Sequence, residues 1–462
     1  MTRPASRLVC AGCAAAPEWS EPLPFRCPNA RSGDDVDHVL RRELDLSDVQ
    51  FPSGASEPNP FVRYRTLLHA YHVARRGGLT DEAFCALVRE LDDGVATVDG
   101  HGFSVTPFFR SAELSAALAF SDVGGVWVKD ETGNVSGSHK ARHLFGVLLY
   151  LEVADRLGLT AGEERPELAI ASCGNAALAA AVVAAAGGRV LRVFVPADAD
   201  PVVLDRLEQL GAQVTVCLRD GSPGDPTYRR LLRAIDEGAV PFTCQGNLNG
   251  LAIEGGETLG WELVSSGAAL DRLVVQVGGG ALASACVHAS REGVELGALA
   301  AMPRFDTVQT EGAWPLKRAF DAVGKRGDAE HALRFASHHR SAFMWPWEEE
   351  PKSIAHGILD DETYDWLAVV EGMLATGGHA LVVDEETLVQ ANVLARGTTG
   401  IDVDPTGSAG LAGLLALRAA GDVDDDERVA VLFTGVVRTA PLRRRNEDEE
   451  FPGTRHPVAQ GL

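Results

Sequence analysis

The 462-residue chain has little of what marks membrane or nucleic-acid-binding proteins. No apolar run approaches the roughly 20 residues that a spanning helix needs. Lysine and arginine number 42 against 65 aspartates and glutamates, a net charge of -23. Since nucleic-acid phosphates attract clustered cations, this balance disfavours nucleic-acid binding. No sustained apolar stretch follows Arg3 and Arg7, so no secretory signal is predicted and we expect a cytoplasmic protein without membrane segments.

Cysteine is sparse too, and eight cysteines in so long a chain do not indicate a disulfide scaffold. Three of them have the spacing of zinc-ribbon ligands: Cys10, Cys13 and Cys27. Ala30 stands where the fourth thiolate would fall, and a methyl group cannot bind zinc. We therefore favour a degenerate ribbon without metal. The alternative is a site completed by His38 or Asp34.

What the chain does have is an alternation of strands and helices. Strands are predicted at 126–128, 168–171, 190–195, 214–218, 273–277, 299–302 and 430–433. Helices are predicted at 143–153, 176–186, 202–210 and 254–265. Alternation of this kind predicts parallel strands joined by right-handed crossovers, which is the α/β class. Upstream, 63–91 predicts two helices, the second starting at Thr80.

One lysine follows a Gly and Ser turn at the start of a long apolar helix. In Ser136-Gly-Ser-His-Lys140, the helix dipole disfavours the ammonium form of Lys140 and so favours the amine that attacks an aldehyde. The alternative is an exposed first-turn lysine without chemistry. This segment alone leaves both interpretations open.

Three further strand-to-helix junctions carry polar or glycine residues. Ser172-Cys-Gly-Asn175 precedes a small-residue helix whose free amides suit a carboxylate, unless Asn175 caps the helix. Three glycines, 278–280, suit a compact phosphate, although a glycine turn alone is a weak signal. A late strand ends in Thr434-Gly435, where the threonine could face a ring nitrogen or simply terminate the strand.

Taken in this order, the four junctions resemble the pyridoxal 5′-phosphate (PLP) enzymes of fold type II, the tryptophan synthase β-subunit superfamily, and most closely its threonine synthase group. The similarity spans most of the chain and includes Lys129-Asp-Glu131, 245–249, 253–258, 309–312 and the cysteine ribbon. It implies two domains with twisted, mainly parallel sheets flanked by helices, the PLP cofactor in the cleft between them, and a homodimer.

The resemblance also implies domain boundaries. The expected units are a ribbon-like segment at 1–50, a large PLP-binding domain at 51–135 and 241–440, a small domain at 136–240, and a solvated tail at 441–462.

The resemblance implies roles for individual residues as well. Lys140 would form the Schiff base with PLP and move the Cα proton. Asn175 would bind the 3′ oxygen of PLP, Thr434 would meet the ring nitrogen, and His139 would lie by the phosphate. The phosphate would be cradled by Gly278, Gly279, Gly280, Ala281 and Leu282. The substrate would be bound by Ser172, Gly174, Ser138 and Arg142.

Departures from the threonine synthase pattern leave the substrate open. Ala141 replaces an acidic residue after the lysine, and only Arg142 and Arg110 are candidates for a substrate phosphate. The loop 351–358, with His356, either lines the substrate side or lies on the surface.

Three functions are therefore considered. The first is a threonine-synthase-like lyase acting on a small amino acid by Cα deprotonation and β or γ elimination or replacement. The second is a serine or threonine ammonia-lyase or a β-replacement synthase. The third is a non-catalytic PLP-binding protein.

Overall fold

The structure is a computed structural model that describes residues 5–31, 33–54, 56–160, 165–219 and 225–438. The predicted tail, 441–462, lies outside these residues. Within them, no helix combines the length and apolar character needed to cross a membrane.

Twelve strands form three sheets in the part of the chain that is described. The strands are β1 (Ser6–Cys10), β2 (Leu40–Leu44), β3 (Phe108–Ser111), β4 (Gly125–Asp130), β5 (Leu168–Ala171), β6 (Leu191–Pro196), β7 (Gln213–Cys217), β8 (Val240–Pro241), β9 (Arg272–Gln276), β10 (Arg304–Thr310), β11 (Ala380–Val383) and β12 (Arg428–Phe433).

The sheets have the topology of an α/β protein. The large sheet has the order β11-β10-β9-β12-β4-β3 and is parallel except for edge strand β3. The small sheet, β7-β6-β5-β8, is entirely parallel, and β1 and β2 form a separate antiparallel pair. The predicted α/β class is confirmed, because helices connect the parallel strands.

The helices of the described residues have the following bounds: α1 (Pro60–Arg63), α2 (His69–Arg76), α3 (Asp81–Asp99), α4 (Ala112–Ala117), α5 (Lys140–Arg156), α6 (Asn175–Ala186), α7 (Pro201–Gln209), α8 (Pro226–Asp236), α9 (Leu251–Ser265), α10 (Ala281–Glu295), α11 (Pro315–Gly324), α12 (Ala329–Ser337), α13 (Trp366–Thr376), α14 (Glu385–Thr399) and α15 (Ala409–Ala420). The predicted start of α3 is correct, since Thr80 Oγ1 caps the Ala83 amide at 3.1 Å.

Helix α5 connects the two larger sheets. It follows β4 of the large sheet in the chain and precedes β5 of the small sheet. It also packs closely on α9, because a Cβ added to Gly146 would lie 2.8 Å from Gly255 Cα. The small sheet falls within 168–241, but the domain boundaries given above stay a prediction, since α5 contacts elements on both sides of them.

One strand prediction is wrong. The apolar run 299–302 forms bends after α10, and the strand is β10, which begins after Pro303. Strand β10 carries Asp306, which is fully buried and paired with Arg272 of β9 through an Nη1 to Oδ2 contact of 2.5 Å. Sequence pattern disfavours a buried aspartate, and its partners are supplied by other segments: Arg272 of β9 and the backbone amide of His379, which donates to Asp306 Oδ1 at 2.7 Å.

A buried ion network holds α5 against β4 and α9. The Arg142 guanidinium donates to Glu131 at 2.8 Å and to Glu262 at 2.6 Å, and all three side chains are essentially inaccessible to solvent. Lys129 is buried beside them and pairs with the same Glu262. Two cations thus face two carboxylates, which balances the charge removed from water.

We expect Arg142→Met to destabilise the fold by about 3–5 kcal/mol, because it leaves two buried carboxylates to a single lysine. Urea unfolding followed by circular dichroism measures this. The control is Arg334→Met, which breaks an exposed pair with Glu330 and should cost less than about 0.5 kcal/mol. Equal unfolding midpoints for the two variants would contradict the role of the network.

Candidate active site

The ends of three neighbouring strands meet the start of α5 at one edge of the large sheet. Strand β12 lies between β4 and β9, and all three run parallel, so their carboxyl ends lie together. Ligands of open α/β sheets bind outside this edge. A ligand site is therefore expected at this edge.

The segment before Lys140 is fixed to the end of β12 by its backbone. Ser138 and Gly435 form an antiparallel bridge, and the Val436 amide donates to the Gly137 carbonyl at 3.0 Å. The His139 amide donates to the Thr434 carbonyl at 3.2 Å. Lys140 follows directly as the first residue of α5 and is partly accessible. These hydrogen bonds fix the backbone directly before Lys140 relative to Thr434.

His139 is a neutral, incompletely paired side chain beside the lysine. Burial, reinforced by the charge of Lys140, lowers its pKa well below the usual value. Its Nδ1 lies 3.2 Å from the Thr434 carbonyl, which makes Nδ1 the donor. Its Nε2 has no hydrogen-bond partner among the described residues.

Other buried polar atoms around the same contacts also lack partners in the described part of the chain: Ser136 Oγ, Ser138 Oγ and Gln276 Oε1. An unpaired buried polar group costs about 1–3 kcal/mol. Unpaired hydroxyls on the segment directly before Lys140 are typical of a site that a polar ligand completes.

Gln276, at the end of β9, prepares the hydroxyl of Thr434. Its Nε2 donates to Thr434 Oγ1 at 2.8 Å and to the Gly407 carbonyl at 2.8 Å. Thr434 Oγ1 accepts this hydrogen bond, and its O–H remains able to donate to a further acceptor. Sequence reasoning missed Gln276, although one polar residue in the run Leu273-Val-Val-Gln was a usable signal.

The glycine turn leads into the uncapped start of α10. Gly280 has φ 94°, and no side chain caps the helix that begins at Ala281. The first amides of this 15-residue helix are therefore available to an anion. A Cβ on Gly278 would lie 2.9 Å from Ile358 Cα, so the segment His356–Ile358 packs against the turn. Of the two interpretations of that loop, the structure favours the one that places it at the site.

Two carboxylates that the sequence did not reveal lie against the glycine turn. Asp360 Oδ2 would be 2.3 Å from a Cβ on Gly278, and the Asp365 amide donates to the Gly279 carbonyl at 3.0 Å. Burial raises the pKa of Asp360 to about 6 and that of Asp365 to about 8, and the charge of Lys140 opposes both shifts. Asp365 is therefore mainly protonated at neutral pH and does not repel an anion at the turn.

The loop Ser172-Cys-Gly-Asn175 lies at the exposed start of α6. Gly174 is the cap residue and Asn175 is the first residue of the helix, so the alternative in which Asn175 caps it is wrong. No side chain caps these amides, which leaves them accessible. A Cβ on Gly435 would lie 2.7 Å from Asn175 Nδ2, which places Asn175 beside the end of β12.

Arg438 is a cation at this edge that sequence reasoning did not identify. Its Nη2 donates to Asn175 Oδ1 and to the Ser136 carbonyl, each at 2.7 Å. The side chain is exposed, so its guanidinium can also meet a ligand from solvent. Its position after Thr434-Gly435 was the available signal.

Two arginines considered for substrate binding do not have free donors at the site. Arg142 is fully buried and its nitrogens bind Glu131 and Glu262, so the structure does not support its assignment to substrate. Arg110 donates to backbone carbonyls of residues 121 and 124, beside the opposite end of β4. The remaining predicted residues lie on the elements described above: Ser138, His139, Lys140, Ser172, Gly174, Asn175, Gly278, Gly279, Gly280, Ala281, Leu282 and Thr434.

Comparison with known proteins agrees with this geometry. The threonine synthase of Methanocaldococcus jannaschii is 26% identical over 337 residues, which cover 71% of this chain and 74% of that protein. The structure of threonine deaminase isoform 2 from Solanum lycopersicum superposes with a TM-score of 0.56 at 14% identity, covering 84% of this chain and 94% of that chain. The structure of a pyridoxal 5′-phosphate-dependent aspartate racemase superposes with a TM-score of 0.57 at 19% identity, covering 77% of this chain and 96% of that chain.

The two structural likenesses show the shared fold, PLP fold type II, as the sequence predicted. Residues 101–435, well over half of the chain, match the family model described as pyridoxal-phosphate dependent enzyme, and this range includes Lys140, the glycine turn and Thr434. The chain therefore belongs to the family of pyridoxal-phosphate dependent enzymes, and its cofactor is pyridoxal 5′-phosphate.

Proposed function

We propose that this enzyme is a lyase of the threonine synthase type, which removes the Cα proton of a small amino acid and eliminates or replaces a group at its β or γ carbon. The observation that carries the proposal is the attachment of the Lys140 segment to Thr434, with Gln276 holding the threonine hydroxyl. The curated relatives, which are threonine synthases, support it.

The residues at the sheet edge fit PLP. The cofactor supplies an aldehyde carbon and a ring that withdraws electrons from the substrate. Lys140 would hold the aldehyde carbon covalently, and the amides at the start of α10 would bind the phosphate. The unpaired Ser138 Oγ and His139 Nε2 are the polar atoms that the bound group would satisfy.

Thr434 would set the protonation of the ring nitrogen. Its oxygen accepts a hydrogen bond from Gln276, and its O–H would be available to donate to an unprotonated ring nitrogen. A neutral hydroxyl, unlike a carboxylate, does not stabilise a protonated ring. This arrangement favours prompt expulsion of a β leaving group.

Lys140 would also move the substrate proton. As a free amine, Lys140 Nζ would take the Cα proton of the substrate and return it to another carbon. The short pairing with Thr434 keeps this amine within reach, because it fixes the residues directly before the lysine.

The substrate anion would meet the start of α6 and Arg438. The amides after Ser172 and Gly174 suit an α-carboxylate. Arg438, beside Asn175, would bind a second anionic group such as a phosphate ester.

The second candidate function is a serine or threonine ammonia-lyase. It is favoured by the burial of Arg142, which removes one of the two expected phosphate ligands. Such a substrate carries no second anion and would not need Arg438. The homodimer, the cytoplasmic location and the domain boundaries stay predictions.

We expect the purified enzyme to show the visible absorption of a lysine-bound PLP and Lys140→Ala to lose it, because no other amine would hold the aldehyde. Absorption spectra and borohydride reduction followed by peptide mass analysis measure this. The control is Lys317→Ala, a change at a lysine paired with Asp321 on α11. Retention of the band in Lys140→Ala would contradict the assignment.

The two candidate functions are distinguished by the products that the enzyme forms. With O-phosphohomoserine as substrate, a threonine-synthase-type enzyme releases phosphate and threonine, which phosphate and amino-acid analysis detect. With serine or threonine, an ammonia-lyase releases ammonia and a keto acid. A spectrum that responds to none of these compounds, with no product formed, would exclude both functions.

Arg438→Gln should raise the KM for a phosphorylated substrate about tenfold or more, since a hydrogen bond to a charged group contributes roughly 1.5–3 kcal/mol. The KM for serine or threonine should change little. Steady-state kinetics on both substrates measures the difference, and the PLP absorption band shows that the site is still formed. The control is the exposed Arg334→Gln. Equal effects on both substrates would refute this role for Arg438.

A further inference from the structure

Four potential metal ligands meet in the N-terminal ribbon. The side-chain ligand atoms of Cys10, Cys13, Cys27 and His38 all lie within 4.8 Å of one another. Cys13 Sγ is 3.5 Å from Cys27 Sγ, and Cys10 Sγ is 3.4 Å from His38 Nδ1. A tetrahedral zinc ion with bonds of about 2.3 Å to sulfur and about 2.0 Å to nitrogen places neighbouring ligand atoms about 3.5–3.8 Å apart. The distances from Cys13 Sγ to Cys27 Sγ and from Cys10 Sγ to His38 Nδ1 are close to these values.

We propose that Cys10, Cys13, Cys27 and His38 bind a structural zinc ion. His38 takes the place of the missing fourth thiolate, which in the chain would have stood at Ala30. The site has four protein ligands and hence no open position for water or substrate, which is typical of structural rather than catalytic zinc. This proposal does not depend on the function proposed above.

The surroundings of His38 orient it as a ligand. Its Nε2 lies 3.2 Å from Asp34 Oδ2, so Nε2 carries the proton and the lone pair of Nδ1 faces the thiols. A carboxylate behind a histidine ligand is the usual support of zinc-bound imidazole. Asp34 is thus a positioning residue, whereas the sequence left it open as an alternative ligand.

Backbone and side-chain donors surround the sulfur atoms. The Asn29 amide lies 3.4 Å from Cys27 Sγ, and Asn29 Nδ2 lies 3.7 Å from Cys13 Sγ. Donors of this kind stabilise thiolates, which are the form that binds metal. The two sulfurs are too far apart for a disulfide bond, whose length is about 2.05 Å.

The ribbon needs such a link because it has little regular structure. Between β1, which ends at Cys10, and β2, which begins at Leu40, the described residues contain no helix or strand. A metal would connect the end of β1 to the loops around Cys27 and His38. It would thereby restrict the conformations of the irregular segment between β1 and β2. Binding releases three thiol protons to solvent and leaves a complex with a net charge of -1.

Metal analysis of the purified full-length enzyme tests the proposal. We expect one zinc per chain in the wild type, and X-ray absorption with three sulfur and one nitrogen neighbours. Cobalt substitution should give the intense visible bands of tetrahedral cobalt with thiolate-to-metal charge transfer. These measurements need no variant, so a failure to fold cannot obscure them. Absence of zinc after equilibration with the metal, or a Cys13–Cys27 disulfide by mass analysis, would overturn the proposal.

Matched variants locate the site. Cys13→Ser and His38→Ala should each lose the zinc, while Cys217→Ser and His331→Ala, at a cysteine and a histidine outside the cluster, should retain it. Asp34→Ala should keep all ligands but weaken zinc binding roughly 10–100-fold in a competition with a chromogenic chelator. Zinc content unchanged in both ligand variants would overturn the assignment.

Removal of the metal tests whether it stabilises the protein against thermal unfolding. A strong chelator should lower the thermal midpoint of the wild type and of Cys217→Ser, and should leave the midpoint of Cys13→Ser unchanged. An equal response of wild type and Cys13→Ser would mean that the chelator acts elsewhere and would contradict the site.

Discussion

The short backbone pairing between residues 137–139 and 434–436 is the constraint on which the active site depends. It joins a loop that leaves β4 to the end of β12, the next strand in the sheet. Lys140 follows this loop at once, and Arg142, two residues later, is locked between Glu131 and Glu262. The lysine is therefore fixed on both sides, by hydrogen bonds before it and by a buried ion network after it. Neither contact involves the lysine side chain, which stays available for chemistry.

Burial raises the pKa values of several carboxyl groups in this acidic protein. Although the chain carries a net charge of -23, several buried acids of the described residues are paired with arginines or have raised pKa values. Burial raises the pKa of Glu254 to about 8 and that of Glu292 to about 7 around the single cation Arg42, which connects β2 to helices α9 and α10. Asp365 at the glycine turn behaves in the same way. The raised pKa of Asp365 thus lessens the repulsion that an anionic cofactor would meet at the glycine turn of this acidic protein.

The N-terminal ribbon is hydrogen-bonded to the rest of the chain through a residue next to one of its proposed zinc ligands. Asp37, next to His38, accepts from Arg340 Nε and from Trp366 Nε1, both at 3.2 Å. Trp366 begins α13, directly after Asp365 at the glycine turn. The order of the ribbon and the shape of the turn are therefore linked through one buried aspartate.

Local pattern determined much of this protein. The lysine at a helix start, the glycine turn and the strand ending in Thr434 each lie within a few residues, so their spacing survives in the sequence and places them on the right junctions. What only the tertiary structure decided involves partners far apart in the chain. The guanidinium of Arg142 is held by Glu131, which follows β4, and by Glu262 of α9. Asp306 can be buried in β10 because Arg272 of β9 pairs with it. His38 joins the cysteines because the chain between them folds back. A buried charge or an unpaired donor has no sequence signature, since its energy is set by the group that packs against it.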